Sequence, residues 1–370
     1  MDPGRISSTE GVLLLMASVL PWAILYLPHF AVEAAGQDAW LAVIPLTLFA
    51  LALGYLVGWI LRRFPGQSLV SIACRVLGRP LGLAVGAAYT WWFISVAALT
   101  LREAGEVIIN VVLPRTPIPV VLGSLLVVSA LNVRSGIEVM ARSNFFLAPF
   151  AIGFLLILVI FSLRDLRADN LLPILEHGVG PFLRGAYVSA GFFGTAVVAL
   201  VTVGPRLNRP SEIGRVVTWA VGLVGALTLV SFVWFVGVMG PELAGRMRFL
   251  PVEAARFISV AEFLERMEAL TVSFSVFVTF AKLSVWYYAA VICLAEVLGL
   301  GDYRPMVWPV GLLIGEGSML FFGNIAELAS FIRWASTPYM LVFEVAIPLV
   351  VLLVSAARQA LGAGRRPSPS

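Results

Sequence analysis

The sequence predicts an all-α, polytopic membrane protein of ten transmembrane helices. It is arranged as a five-plus-five inverted repeat with discontinuous helices 1 and 6. Three observations carry this. Apolar types make up 60% of the 370 residues and charged types 12%, against about 45–50% and about 25% in soluble domains. Mean hydropathy is +0.97. The apolar residues gather in runs of about 20, the length that crosses a bilayer as a helix. So few charges cannot cover a soluble surface, which excludes a soluble enzyme, a nucleic-acid-binding domain and a secreted disulfide scaffold.

Ten runs qualify as spans, near 10–33, 38–61, 81–110, 117–133, 137–163, 181–205, 212–239, 264–298, 305–323 and 325–357. The alternating segments of a transmembrane barrel are not found. The first run carries Pro21 and Pro28 and leads into further spans, so it reads as a helix and not as a cleaved leader. Residues 66–78 are too short and mixed to span and read as interfacial. Residues 242–262 place apolar side chains at helical spacing among Arg246, Arg248, Glu253 and Arg256, the pattern of an amphipathic hairpin. From Arg358 the chain carries Arg365, Arg366 and Pro-Ser-Pro-Ser, a disordered tail over 358–370. Residues 1–370 form a single membrane domain on this reading, with a first repeat over 10–163 and a second over 181–357.

The net charge is +4, and Lys282 is the one lysine. Most of the arginines lie between spans and act as topology signals. One set of connections holds Arg5, Arg62, Arg63, Arg75, Arg79, Arg134, Arg206, Arg209, Arg215, Arg304 and the tail arginines. The opposite set mixes fewer arginines with Glu33, Asp38, Asp165, Asp169, Glu176 and Glu242. The arginine-rich set is therefore cytoplasmic, with both termini inside. Cys74 and Cys293 lie far apart in apolar stretches and read as free buried thiols.

Five spans per half is an odd number, so equivalent helices cross in opposite directions. The first span of each half carries chain breakers. Span 1 has Pro21 and Pro28; span 6 has Gly191 and Gly194 around Phe192-Phe193, then Gly204-Pro205. Proline removes a backbone donor and glycine permits non-helical geometry. Breakers at matching positions point to a binding site in the middle of the bilayer, although kinks alone are also tolerated in such helices.

Ionisable groups inside spans are costly and each asks for a reason. Lys282 sits mid-span in Val-Thr-Phe-Ala-Lys-Leu-Ser-Val-Trp. It is either a structural ammonium bonded to carbonyl groups or a charge that replaces a coupling cation. Thr279, one turn before, shares its face. Glu316 in span 9 and Glu344 in span 10 are its candidate partners, and either one is also compatible with a wet cavity. Arg102 and Glu106 stand four residues apart near the end of span 3, as a surface ion pair would. Trp22, Trp91, Trp92, Trp219, Trp234 and Trp286 read as packing or interface residues. No nucleotide loop, nucleophile elbow, triad or metal cluster is found, so neither catalysis nor a cofactor is expected.

Several segments carry a resemblance. Ala23-Ile24-Leu25-Tyr26-Leu27-Pro28 is followed by Glu33-Ala34-Ala35-Gly36-Gln37-Asp38-Ala39-Trp40. Later come Arg63-Phe64-Pro65-Gly66-Gln67-Ser68, Leu113-Pro114-Arg115-Thr116-Pro117, Gly136-Ile137-Glu138-Val139, Asn170-Leu171-Leu172-Pro173-Ile174 and Gly240-Pro241-Glu242-Leu243. In this order, over roughly residues 6–357, they resemble the spore germination permease family, the B subunits of nutrient germinant receptors.

The resemblance implies the inverted repeat of the amino acid–polyamine–organocation superfamily. It implies residence in the inner membrane of the bacterial spore, with a membrane A subunit and a lipoprotein C subunit as partners. It also implies a small amino acid as ligand and germination as the outcome. Relatives tend to carry glycine where this chain has Pro21-Trp22, and often an acid after the span 6 glycine, where this chain has Thr195-Ala196. The expected ligand contacts are the backbone around Trp22, Ala23, Ile24 and Leu25, with Phe192, Phe193, Gly194 and Thr195 opposite. Half-helix amides there would meet the ligand carboxylate. The alternative is an amino-acid secondary transporter, proton-coupled or uncoupled. A third idea is an ion or water path past Glu316 and Glu344.

Overall fold

The computed structural model describes residues 4–111, 113–247, 250 and 264–360. Lipid offers no hydrogen bonds, so each span must satisfy its own backbone, and helices do this. The helices are α1 (Ser8–Leu25), α2 (Leu27–Ala35), α3 (Ala39–Arg63), α4 (Leu69–Leu77), α5 (Arg79–Val111), α6 (Ile118–Ser135) and α7 (Ile137–Phe161). The second half supplies α8 (Val179–Val203), α9 (Ile213–Met239), α10 (Pro241–Arg246), α11 (Leu264–Val297), α12 (Val307–Leu320), α13 (Ile325–Trp334), α14 (Ser336–Leu341) and α15 (Ile347–Ala360). A π turn, Val342–Ala346, joins the last two.

Nine helical stretches among the described residues are long and apolar enough to cross a membrane, and they overlap nine of the ten expected spans; span 1, expected over 10–33, ends at Leu25, and the first part of span 10, expected over 325–357, is the separate helix α13. The remaining expected span, α12, has 14 residues and rises about 21 Å. Leu48, Phe146, Ile160, Leu320 and Leu353 are exposed, as lipid-facing residues should be. The interfacial segment 66–78 is helix α4, begun by Ser68, whose hydroxyl accepts from the Ser71 N–H at 3.2 Å. Of the expected amphipathic hairpin, α10 is described; 248–249 and 251–263 lie outside the described residues, as does the tail from 361. Both cysteines are free thiols, Cys293 buried and Cys74 partly exposed.

Helix α1 is started by a capping box: the Ser7 hydroxyl accepts from the Glu10 N–H while the Glu10 carboxylate accepts from the Ser7 N–H at 2.7 Å. Residue Ile6 is pinned to the far end of α8, donating to the Arg206 carbonyl at 3.0 Å and accepting from the Asn208 N–H at 2.9 Å. Pro21 stays inside α1. The break comes at Tyr26, whose φ of −121° and ψ of −45° leave helical geometry. Pro28 has no N–H for the carbonyl of Ile24, so the helix cannot run on unchanged.

Span 6 corrects an expectation: α8 runs as one helix through Gly191 and Gly194 and changes only at Gly204–Arg206, a 3-10 turn. The two glycines serve close approach instead. Gly191 lies against Met340 and Thr337, and Gly194 against Glu344. Helix α1 packs against α7, α8, α9 and α11, so it occupies the centre, while α5 and α11 pack along each other beside it.

Gly82 lets α4 lie on α5, because a Cβ there would overlap the Cys74 backbone. Backbone cannot swing aside. Gly82→Val is expected to lower stability by about 1–3 kcal/mol, read from thermal unfolding in detergent. Gly123→Ala, whose Cβ meets open space in the interior of α6, should not lower it and is expected to raise it by about 0.5–1 kcal/mol.

Candidate functional site

The site is set by the register of α5 against α11. The two run antiparallel. Near the arginine-rich end, the Cys293 thiol donates to the Gly86 carbonyl at 3.3 Å. Further along, Trp286 stacks on Phe93, ring centroids 6.0 Å apart. Beyond these, Lys282 meets Glu103, with Nζ 3.9 Å from Oε2 and side-chain exposures of 3% and 1%.

The partner of Lys282 is thus Glu103, and neither Glu316 nor Glu344. Glu316 is exposed on α12, on a surface shared with Leu312, Leu313 and Leu320. Glu344 is buried on the π turn, against α8. The partner was concealed because pairing depends on how two helices slide past each other, which neither local sequence states. One signal was available. Arg102 and Glu106 share a helical face, so Glu103 points about 100° away with no countercharge on its own helix.

The ion pair is slack. Its separation is long for a charge-assisted hydrogen bond, which runs about 2.7–2.9 Å, and Glu103 Oε1 has no hydrogen-bond partner. Lys282 Nζ instead lies 4.5 Å from the centroid of the Trp22 ring, a cation–π contact. Trp22 stacks on Phe192 at 3.8 Å with an interplanar angle of 20°. One continuous stack therefore crosses from α11 through α1 to α8. Tyr26, at the break, is buried with its ring 5.8 Å from that of Trp22. Its hydroxyl lacks a partner.

The neighbouring pair also departs from expectation. Arg102 and Glu106 do pair, at 2.9 Å, but with exposures of only 8% and 9%. Arg102 also donates to the Ser318 carbonyl at 3.5 Å. Packing of α12 on α5 covers what reads in sequence as a surface.

Both ends of the stack are closed. Toward the arginine-rich end, Trp92 packs on Phe343 and edge-on to Trp286, each at 5.5 Å. The Tyr89 hydroxyl donates to the Phe343 carbonyl at 2.7 Å, and the Trp286 indole donates to the Ser18 carbonyl at 3.3 Å. At the opposite end, both oxygens of Glu33 accept from Arg333 at 2.7 Å, tying α2 to α13. This pair borders a cavity of about 350 Å³ lined by Phe30, Leu183, Tyr187 and Trp334.

The expected contact residues are partly brought together. Trp22 and Phe192 meet. Ala23, Ile24 and Leu25 are buried but remain in α1, so their amides belong to the helix and are not presented to a ligand. Phe193 is core. The Thr195 hydroxyl is used within α8, donating to the Phe192 carbonyl at 2.6 Å. Thr279 is buried one turn from Lys282. Trp92, Trp234 and Trp286 pack inside, while Trp91 and Trp219 are exposed. Among the described residues no group of three His, Cys, Asp or Glu side chains is placed to hold a metal ion. The centre offers a loosely paired cation and anion, an unused carboxylate oxygen and an aromatic wall, which suits a small ligand bearing both charges.

The family profile described as Spore germination protein matches residues 5–321. Spore germination protein KB of Bacillus subtilis (strain 168) is 27% identical over 360 residues, covering 96% of this chain and 95% of that protein. Spore germination protein XB of Bacillus anthracis is 24% identical over 244 residues, covering 65% and 67%. Among solved structures, MhsT in complex with L-phenylalanine superposes with a TM-score of 0.68 at 14% identity, covering 95% of this chain and 99% of that one. Mhp1, a nucleobase-cation-symport-1 family transporter, gives 0.65 at 12% identity, covering 92% and 78%. The fold is that of inverted-repeat transporters.

Removing one member of the central pair strands a buried charge. Lys282→Met is expected to cost about 3–5 kcal/mol. Lys282→Met with Glu103→Leu should recover most of that loss. A double-mutant cycle from unfolding in detergent checks the coupling; additive effects would show that the two groups do not interact.

Proposed function

The chain belongs to the spore germination protein family, and on that footing we propose that it is the germinant-sensing membrane subunit of a spore nutrient receptor. It binds a small amino acid in the middle of the bilayer and signals to partner subunits to start germination. The slack Lys282–Glu103 pair against Trp22 carries this reading. An amino acid brings one carboxylate and one ammonium. Its carboxylate replaces Glu103 beside Lys282, and its ammonium takes the unused Glu103 Oε1. Both buried charges keep a partner throughout, which avoids the large penalty of an unpaired charge in a dry core. The ligand contacts thus shift from the α1 amides to side chains.

To admit the ligand, Trp22 leaves Phe192. That loosens α1 from α8 and shifts the balance between two packings of these helices. In the receptor, a membrane A subunit and a lipoprotein C subunit read the shift. The protein lies in the inner spore membrane with both termini and the arginine-rich end cytoplasmic, in line with the positive-inside rule. The Glu33–Arg333 pair then closes the outer mouth.

A second reading, an amino-acid secondary transporter, is favoured by the likeness of fold to MhsT and Mhp1. Saturable uptake of labelled amino acid by vesicles holding this protein alone separates the two. Uptake supports the transporter, and binding without uptake supports the sensor.

Two variants test the site. Glu103→Gln, which keeps the side-chain volume but removes the carboxylate that takes the ligand ammonium, is expected to abolish the amino-acid response of spores at normal protein levels; an unchanged dose–response would reject the site. Lys282→Met should weaken amino-acid binding about 10-fold to 100-fold, measured by titration calorimetry on purified protein.

A further inference from the structure

The buried charges of the described residues pair off with one exception. Arg102 holds Glu106 and Lys282 faces Glu103. Asp38 accepts from the Leu175 N–H at 2.8 Å. Glu344 is 0% exposed, and both of its carboxylate oxygens lack a hydrogen-bond partner. Buried charges in proteins are paired, bind ions or are neutralised by a proton, and even a neutral buried carboxyl needs hydrogen-bond partners, so this group has room for a complement from outside the chain.

The backbone around it is built irregularly. Glu344 is the central residue of the π turn, where the Ile347 N–H donates to the Val342 carbonyl. Pro348 has no N–H for the carbonyl of Glu344, which disfavours a regular α turn there. Such turns frequently mark functional positions. Opposite stands Gly194 of α8, where an added Cβ would fall on the carboxylate. The missing side chain is what makes room for the acid. The preceding residue, Phe343, packs on the rings of Tyr89, Trp92 and Tyr339.

We propose that Glu344 anchors a monovalent-cation subsite between the π turn and α8, distinct from the Lys282–Glu103 pair. Its occupant is an alkali-metal ion or the ammonium group of an organic amine. One carboxylate balances one positive charge. A divalent ion would need further acidic ligands, and no cluster of three metal-ligating side chains exists among the described residues. Occupancy would reach the central stack through the body of α8, whose Gly194 faces Glu344 on one side and whose Phe192, two residues earlier and so on another face, covers Trp22. A cation there braces the wall of α8 against which Trp22 rests.

The test is thermal unfolding of the purified full chain in lipid nanodiscs, without any amino acid. Chloride salts of sodium, potassium, methylammonium and the bulky N-methyl-D-glucamine are compared at equal ionic strength. Relative to N-methyl-D-glucamine, at least one small cation should raise Tm saturably by roughly 2–4 °C, and Glu344→Gln should remove the rise. A response to sodium or potassium identifies an alkali ion; a response to methylammonium alone identifies an amine. Gly194→Ala, which keeps the acid but displaces it, should weaken the response at least 10-fold in midpoint and serves if Glu344→Gln does not fold. Equal Tm in all four salts, or an equal rise in Glu344→Gln, would overturn the proposal.

Discussion

An ammonium group in the middle of a helical bundle in lipid must find its complement within the protein, because the surroundings supply none. Lys282 finds two: the carboxylate of Glu103 on α5 and the face of Trp22 on α1. Much of the centre follows from this. It holds α11 against α5, and it fixes the rotation of α1, so that Trp22 is presented to Phe192 on α8. Four helices from both halves thus meet through one cation. A buried ion pair adds little net stability over well-packed apolar residues, so its value lies in specifying position. The slack in this pair also leaves capacity for exchange.

Aromatic packing completes the closure. Trp92, Trp286, Phe343 and Tyr89 form a dense layer toward the arginine-rich end. Rigid rings filled against one another admit little between them without moving a helix. Toward the other end, closure rests on a side-chain ion pair, Glu33 with Arg333. The pair is part-exposed, and such pairs are individually weak. The two ends are therefore held by different physics. Packing at one end changes in discrete steps, and an ion pair at the other breaks at small cost.

Helix α8 shows how a breaker acts without breaking. Gly191 and Gly194 leave its helical geometry intact but strip one stripe of side chains. The segment from Thr337 to Glu344 lies directly in that stripe. The irregularity that the glycines suggested in span 6 falls across the contact instead, in the π turn. Helix α1 differs because proline removes a donor whatever the packing, and its break duly comes close to Pro28. The break still misses Pro21, since a helix wedged among four others can lose one hydrogen bond without leaving its course.

Hydrophobicity and length placed nine of the ten spans, because in lipid a run of about 20 apolar residues has few conformations open to it. Spacing identified the Arg102–Glu106 pair, the scarcity of charge inside spans singled out Lys282 and Glu344, and ordered motifs indicated the family. These are local properties, carried by residues near in sequence. Tertiary structure alone decided that Lys282 faces Glu103, that Arg102 and Glu106 are covered, that Glu316 faces outward and that Glu344 lies bare against Gly194. Each depends on the rotation and register of two helices brought together by the whole bundle. Apolar helices slide and turn against one another with little change in the pattern of a single sequence, so the contacts that make the site emerge only when the bundle is assembled.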